Sequence, residues 1–427
     1  MDEKLNSLSK FNFWDGNIPS PGFSRKDYVD KIFNYIGNKL VKVLVGQRRA
    51  GKSYILRQIA KGLIDEGVNP HNILYINKEF IEFDFINHYN DLEDLLKVYN
   101  NKLQPGGKKY LFIDEIQNIT GWEHFVNSHS QDFVEPYEIF ISGSNSRMLS
   151  GELATLLSGR YVSFEIFPFS FKEYLGITQQ ESTKESYVRY MESGGLPELF
   201  VLPNEETRQN YVGAIKDTVL LRDIIQRHSV KDPRLLEDIF VYLVNNASNL
   251  VSITNIVNFF KSNKRHTSYD TISNYIGYIT DTFLVHSAER YNIKGKETIA
   301  GNLKYYINDL SYKNYLYTGF GYGIGYKLEN LVYLELRRAG YQVYVGALGS
   351  KEVDFVASKG DRVIYIQSTY ILADEHTAKR EYAPLEAIRD HYEKYVVSLD
   401  DVTLPSNNGI IHIQVWNLAA VIVNNTF

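Results

Sequence analysis

Lys42-Val43-Leu44-Val45-Gly46-Gln47-Arg48-Arg49-Ala50-Gly51-Lys52-Ser53 is the segment whose reading decides the fold. It opens as a short apolar strand and then fills every fixed position of G-x-x-x-x-G-K-S. Ile55, Ile59 and Leu63 follow at helical spacing, until Gly67 and Pro70 end the run. A strand that turns through glycines into a helix suits phosphate. Glycine lets the backbone curl so that successive N–H groups point inward, and the helix start adds unpaired N–H groups and the positive end of its dipole. Lys52 would reach the β- and γ-phosphates, and the Ser53 hydroxyl would ligate Mg2+. Gly46, Gln47, Arg48, Arg49, Ala50, Gly51, Lys52, Ser53 and Tyr54 are therefore the expected ATP contacts.

Strand and helix alternate onward from this loop. Upstream, Pro19 to Gly22 reads as a turn, and Ser24 as the cap of a helix containing Tyr28, Ile32 and Tyr35. Downstream, Ile73 to Ile76 is a buried strand, Leu92 to Val98 is helical, and Pro105-Gly106-Gly107 breaks the pattern. Tyr110-Leu111-Phe112-Ile113 then runs into Asp114-Glu115. A helix near Trp122 to Val126 leads to the strand Tyr137 to Ser142 and on to Gly143-Ser144-Asn145-Ser146. Continuous apolar strands alternating with helices signal a parallel sheet covered on both faces. An acid ending a buried strand can hold Mg2+ near the phosphate loop, the role expected of Asp114. Glu115 beside it is placed to orient and polarise an attacking water. Gln117, Ser144 and Asn145 stand just beyond strands, and Asn145 is the candidate for sensing the γ-phosphate or placing the water.

At 427 residues the chain exceeds one ordinary core, so two to four domains are expected. Hydrophobic residues at 44% and charged residues at 23% are ordinary for a globular protein. A formal charge of −5 argues against wholesale coating of nucleic acid or an anionic membrane, though not against a local basic patch. The absence of cysteine excludes disulfides, thiolate metal sites and cysteine nucleophiles. Met1-Asp2-Glu3-Lys4 lacks the pattern of a signal peptide, and no stretch is long and apolar enough to span a bilayer. The expected location is the cytoplasm, with no membrane partner.

GQRRAGKS, LFIDEIQ, ISGSNS, LSGRYVSFEIFPFSFKEYL and GGLPELF, in that order, resemble a prokaryotic family of AAA-type ATPases. The resemblance implies an α/β P-loop NTPase with an additional-strand parallel sheet, a strand lying between those that carry the phosphate loop and the Asp-Glu pair. It implies an ATPase core over residues 1–170 that uses ATP and Mg2+, with the helix near Tyr28 beside the adenine. Within that family's pattern Asn145 matches the γ-phosphate sensor. Arg160 matches a finger acting on a neighbouring subunit, which makes self-association an expectation; the alternative is an arginine paired at a strand start. Glu115, Lys52, Asn145 and Arg160 are then the catalytic set, with Ser53 and Asp114 at the metal.

Residues 171–234 resemble the helical lid of such ATPases. Residues 235–309 suggest a winged helix: helices Leu235 to Val244, Thr254 to Phe260 and Ser268 to Ile279, then strands Phe283 to Tyr291 and Tyr305 to Asn308 around Lys294-Gly295-Lys296. Lys261, Lys264, Arg265, His266, Lys294 and Lys296 fit phosphate contacts with duplex DNA. The third helix, with Tyr269, Ser273, Asn274 and Tyr275, brings no arginine for guanine, which favours docking or weak duplex binding over sequence reading.

Residues 310–427 resemble the domain related to PD-(D/E)xK restriction nucleases that this family carries, an α/β fold. A working nuclease needs Glu329 or Glu335, Asp354, and Glu-x-Lys on the next strand; this chain has Gln367-Ser368-Thr369 there. Lys351 and Lys359 are the candidates for a migrated lysine. Nuclease activity is accordingly not expected. Three functions remain open: an ATPase associated with DNA, a nucleotide-gated protein-interaction scaffold with little turnover, and an ATP-dependent nuclease.

Overall fold

The strand that feeds the phosphate loop lies inside a five-stranded parallel sheet. The computed structural model describes residues 8–16, 20–149, 155–157, 159–318, 323–372 and 375–423; Met1 to Lys4, Pro19 and Ser158, used above, lie outside them. Strands β1 (Val41–Val45), β2 (Ile73–Asn77), β3 (Lys109–Asp114), β4 (Tyr137–Gly143) and β5 (Tyr161–Glu165) run in the order β2-β3-β4-β1-β5. All neighbours are parallel, and β4 is the inserted strand between β1 and β3. Burial on both faces of β1 to β4 explains why these strands read as apolar runs rather than alternating ones, whereas β5, at the edge, buries only Phe164. Lys42 is the exception in β1: it is fully buried, and its ammonium pairs with the buried Glu138 of β4.

Helices α1 (Lys26–Phe33), α2 (Lys52–Asp65), α3 (Tyr89–Leu103) and α4 (Trp122–Gln131) accompany the sheet. The core of α1 and α2 joins Ile32, Ile55, Ile59 and Leu63 to Leu44, Phe112 and Phe140. Ser24 does not cap α1. The cap position is Arg25, without a side-chain cap bond, and its own N–H donates to Gln58 Oε1 of α2 at 2.9 Å. The start of α1 is thus fixed by the neighbouring helix.

The contacts divide the chain into two units, residues 1–166 and 167–427. In the second, α5 (Phe171–Thr178), α6 (Lys184–Ser193) and α7 (Glu205–Thr218) each begin at a capping box, on Ser170, Thr183 and Asn204. A π-helical stretch, Val219–Gln226, extends α7. The Gly194-Gly195 break is a pin. Gly195 N–H donates to Asp309 Oδ2 at 2.7 Å, its carbonyl accepts from Phe169 N at 2.7 Å, and Ser311 N–H donates to Asp309 Oδ1 at 2.9 Å. A Cβ on Gly194, at φ +76°, would overlap Asp309, and one on Gly195 would overlap the Phe169 carbonyl. That requirement accounts for the G-G-L-P motif.

Next come α8 (Pro233–Asn245), β6 (Leu250–Val251), α9 (Ile253–Ser262), α10 (Tyr269–Asp281), β7 (Val285–Asn292) and β8 (Glu297–Ile307). Then follow α11 (Ile324–Arg338), β9 (Gln342–Leu348), β10 (Lys351–Lys359), β11 (Arg362–Ser368), α12 (Glu375–Glu386), β12 (Glu393–Ser398), β13 (Ile410–Gln414) and α13 (Leu418–Val423). Strands β6 to β13 form one sheet, ordered β13-β12-β11-β10-β9-β7-β8-β6. In β11, Ile364 and Ile366 face the core with Val332 and Leu336 of α11, while Tyr365 packs with Tyr382 and Leu385 of α12 on the other side. The sequence reading divides this unit at 234/235 and 309/310. One apolar core nonetheless runs from Phe167 to Ile422 through all three parts. Among the described residues no helix is long and apolar enough to cross a membrane.

Candidate functional site

The parallel sheet delivers the phosphate loop and the Asp-Glu pair at the carboxyl ends of β1 and β3, with the end of β4 between them. Gly46 has φ +146°, and a Cβ there would overlap the Ile166 carbonyl, so only glycine fits where β1 leaves the sheet. Gly51 is left-handed at φ 97° and starts α2. Gln47 and Ala50 are buried, Arg48 is half-buried and ion-paired with Glu79, and Arg49 is exposed in a left-handed conformation. Tyr54 faces outward under the Arg57 guanidinium, 4.3 Å from its ring centre.

Lys52 is buried, and its Nζ donates to the Gly46 and Gln47 carbonyls at 2.9 and 3.0 Å. Glu115 Oε1 is 4.0 Å away. Burial lowers the Lys52 pKa, while Glu115 and Asp114 oppose the shift. Asp114 accepts from Tyr75 Oη and Asn77 Nδ2, both at 3.0 Å, and from the Ser142 hydroxyl. The Ser53 hydroxyl lies near enough to the same carboxylate to lower its pKa. Burial, then the Glu115 charge, raises the pKa of Asp114. Glu115 goes the other way. Burial would raise it, but the charges of Lys52 and Arg48 and the bonds from Gln117 and Ser144 hold it below the usual carboxylate range. Opposite shifts on two adjacent acids suit them to separate tasks, the lowered one to that of a base.

Glu115 is also strained, at φ 56° and ψ 46°. That left-handed conformation costs a non-glycine residue about 1–2 kcal/mol. It turns the carboxylate toward Lys52, with Gln117 Nε2 and Ser144 Oγ (3.3 Å) donating to Oε2. Asn145 is 2% exposed, and its Oδ1 accepts from Arg147 N at 2.8 Å. Asn145 Nδ2 and Gln117 Oε1 are buried with no hydrogen-bond partner among the described residues. Buried polar atoms need partners, so these two suit a polar ligand. Ser53 and Asp114 form a hard oxygen pair that fits Mg2+.

Arg160 stands elsewhere. It precedes β5, whose Tyr161 pairs with Val41, while Gly46 follows the far end of β1; five strand residues make about 16 Å. Its guanidinium donates to Asn127 Oδ1 and the Leu156 carbonyl, both at 3.3 Å, and does not reach the phosphate loop of its own chain. Arg25 was missed by sequence reasoning. It is 2% exposed, donates from Nη1 to the Ala50 carbonyl at 2.6 Å, and lies 4.6 Å from the Tyr28 ring centre. No local pattern marks it, because the contact spans twenty-five residues.

In the second unit, Lys261, Lys264, His266, Lys294 and Lys296 are exposed, whereas Arg265 is ion-paired with Asp238 and, at 3.8 Å, Asp232. Tyr275 is buried, and its hydroxyl accepts from Asp232 N at 3.2 Å, so it is not on the outer face of α10. Lys351 and Lys359 donate to the Ala383 and Ala339 carbonyls, and Glu335 pairs with Arg338 at 2.7 Å; none joins Asp354.

Residues 38–175 match the AAA domain family, and residues 184–322 match a domain of unknown function. An uncharacterized protein of Haemophilus influenzae is 36% identical over 380 residues, covering 88% of this chain and 93% of that protein. Another, from Methanocaldococcus jannaschii, is 32% identical over 388 residues, 86% of this chain and 82% of its own. Among solved structures, a Walker-type ATPase of Pyrococcus abyssi aligns with 69% of this chain and 95% of that chain, at 14% identity and a TM-score of 0.41.

Proposed function

The chain belongs to an AAA-type P-loop ATPase family, and from that premise we propose that it binds ATP with Mg2+ and hydrolyses it. The observation that carries this reading is the adjacent pair Asp114 and Glu115, one pKa raised and the other lowered, with Lys52 4.0 Å from Glu115. In this proposal Lys52 Nζ leaves the Gly46 and Gln47 carbonyls for the β- and γ-phosphates. Ser53 and Asp114 would hold Mg2+, which would supply positive charge beside the phosphates. Glu115 accepts a hydrogen bond from the attacking water and orients it. Asn145 Nδ2, the buried donor without a partner, takes a γ-phosphate oxygen. Arg160, directed away from its own loop, acts on the nucleotide of a second copy of the chain.

The order of elements from α8 to β8, three helices and then a hairpin, supports reading residues 235–309 as a winged helix. The exposed Lys261, Lys264, His266, Lys294 and Lys296 favour weak duplex contact over sequence reading, since Asp270 rather than a base faces outward at the start of α10. Residues 171–234 are read as the lid, and residues 310–427 as a nuclease-like framework that does not cut.

Steady ATPase rates with and without duplex DNA test the proposal. Lys52→Ala should lose ATP binding, and Glu115→Gln should bind ATP and not turn it over. Wild-type turnover in Glu115→Gln would refute the role of that carboxylate. Tight binding without turnover by the unaltered chain would establish a nucleotide-gated scaffold instead.

A further inference from the structure

The polar cluster under α11 contains a cation that belongs to the chain itself. Lys304 of β8 is 4% exposed, and its Nζ donates to Glu329 Oε1 at 2.9 Å and to Glu352 Oε1 at 2.7 Å. Tyr306 Oη donates to the same Glu329 oxygen at 2.9 Å. Beside them Asp354 sits where the β9–β10 register shifts between Val353 and Val356, a bulge that re-aims its side chain. Both of its oxygens are occupied. Oδ2 accepts from Ser368 N and Ser368 Oγ at 2.8 Å each, and Oδ1 accepts from Gln367 Nε2 at 3.2 Å. Gln367 Nε2 also reaches Glu381 Oε2 at 3.0 Å.

This arrangement has the acids of a divalent-cation site and no room for the cation. A hard metal ion needs several anionic oxygens facing one point. Here the point between Glu329 and Glu352 is filled by an ammonium, and the strand position opposite Asp354 carries a neutral amide. Among the described residues no three His, Asp or Glu side chains converge as metal ligands. Burial, then the charge of Asp354, pushes Glu329 up to about 8, against the opposing charge and hydrogen bond of Lys304.

We propose that Lys304 is a built-in substitute for a divalent cation, holding Glu329 and Glu352 together and closing this site to Mg2+ and Mn2+. The proposal concerns a site apart from the phosphate loop, and its outcome is independent of ATP turnover. Lys304 supplies charge without Lewis acidity or an exchangeable water. The cluster therefore ties β8 to α11 and β10, and it does not activate a nucleophile for phosphodiester cleavage.

The experiment uses the full chain with Lys52→Ala throughout and no nucleotide, so that the phosphate loop does not compete. Mn2+ uptake is followed by its electron paramagnetic resonance signal, and melting by circular dichroism. The Lys304-containing protein should neither take up Mn2+ nor melt higher with it. Lys304→Ala should melt lower, gain Mn2+ uptake and recover melting temperature with Mn2+, and Glu352→Gln added to it should remove that gain. If Lys304→Ala does not fold, Lys304→Met, which keeps the apolar stem, carries the same expectation. Mn2+ uptake by the Lys304-containing protein that Glu352→Gln abolishes would overturn the proposal. So would a folded Lys304 variant that gains no Mn2+, or Mn2+-dependent DNA cleavage that Glu329→Gln removes.

Discussion

Replacing Arg25 by Ala tests whether the phosphate loop is held from outside itself. The Arg25 guanidinium donates to the Ala50 carbonyl at 2.6 Å in a position that is 2% exposed, while its backbone N–H is bound by Gln58 of α2. Removing the side chain leaves the carbonyl unpaired and the loop free to rotate about Ala50. A buried hydrogen bond from a charged donor is worth about 1.5–3 kcal/mol, or roughly 10–150-fold in an equilibrium constant. Lys52 still bridges the Gly46 and Gln47 carbonyls in the empty loop, so part of the ordering survives. The lower end is therefore expected, a dissociation constant for ATP weakened by about tenfold. The assay is titration of a fluorescent ATP analogue into Glu115→Gln protein, with and without Arg25→Ala, so that turnover does not intrude. Arg25→Lys should fall between the two, since it keeps the charge but loses the planar fork. Affinity within about twofold of the parent would refute the reasoning, because a hydrogen bond of that strength could not then be ordering the loop.

Two further outcomes are expected. Mixing inactive Arg160→Ala with inactive Glu115→Gln should restore ATPase activity if Arg160 serves a neighbouring copy; a chain that stays monomeric with ATP, or no recovery on mixing, leaves Arg160 with its bonds to Asn127 and the Leu156 carbonyl. Gly195→Ala places a methyl group against the Phe169 carbonyl and strains the bonds to Phe169 and Asp309. It should cost about 2–3 kcal/mol in urea unfolding, and an unchanged midpoint would show that the break between α6 and α7 adapts freely.

The phosphate loop and the Asp114-Glu115 pair were legible because each is local, a strand with a fixed spacing after it; the place of β4 between β1 and β3 was implied only by the family resemblance, and the sheet has that order. Asn145 was legible as a polar residue two positions past β4, although its unpartnered Nδ2 was not. What escaped was long-range. Ser24 looked like a cap, but Gln58, thirty-three residues beyond Arg25, fixes the start of α1. The lysine beside Asp354 was sought near it in sequence, at Lys351 and Lys359. The lysine whose charge acts on Asp354 is Lys304, paired with Glu329 and Glu352, on a strand assigned to another domain, because β7 pairs with β9 and brings the hairpin into the same sheet. Arg265 and Tyr275 looked available to a partner and are tied to Asp238 and Asp232.

The pairing of β7 with β9 sets a limit on how this protein can be taken apart. Arg290, Tyr291 and Asn292 lie beside Val345, Gly346 and Ala347 in parallel register. A chain ending at Asp309 would leave that margin of the hairpin with open N–H and C=O groups, and would uncover the apolar faces of Tyr306 and Ile307 that now meet α11. Bare margins of this kind recruit other strands, so such a fragment would collect into aggregates. The same junction makes the hairpin a stiff extension of the C-terminal sheet. Whatever grips Lys294 and Lys296 at its tip pulls directly on the strands carrying Lys304 and, through β9 and β10, Asp354.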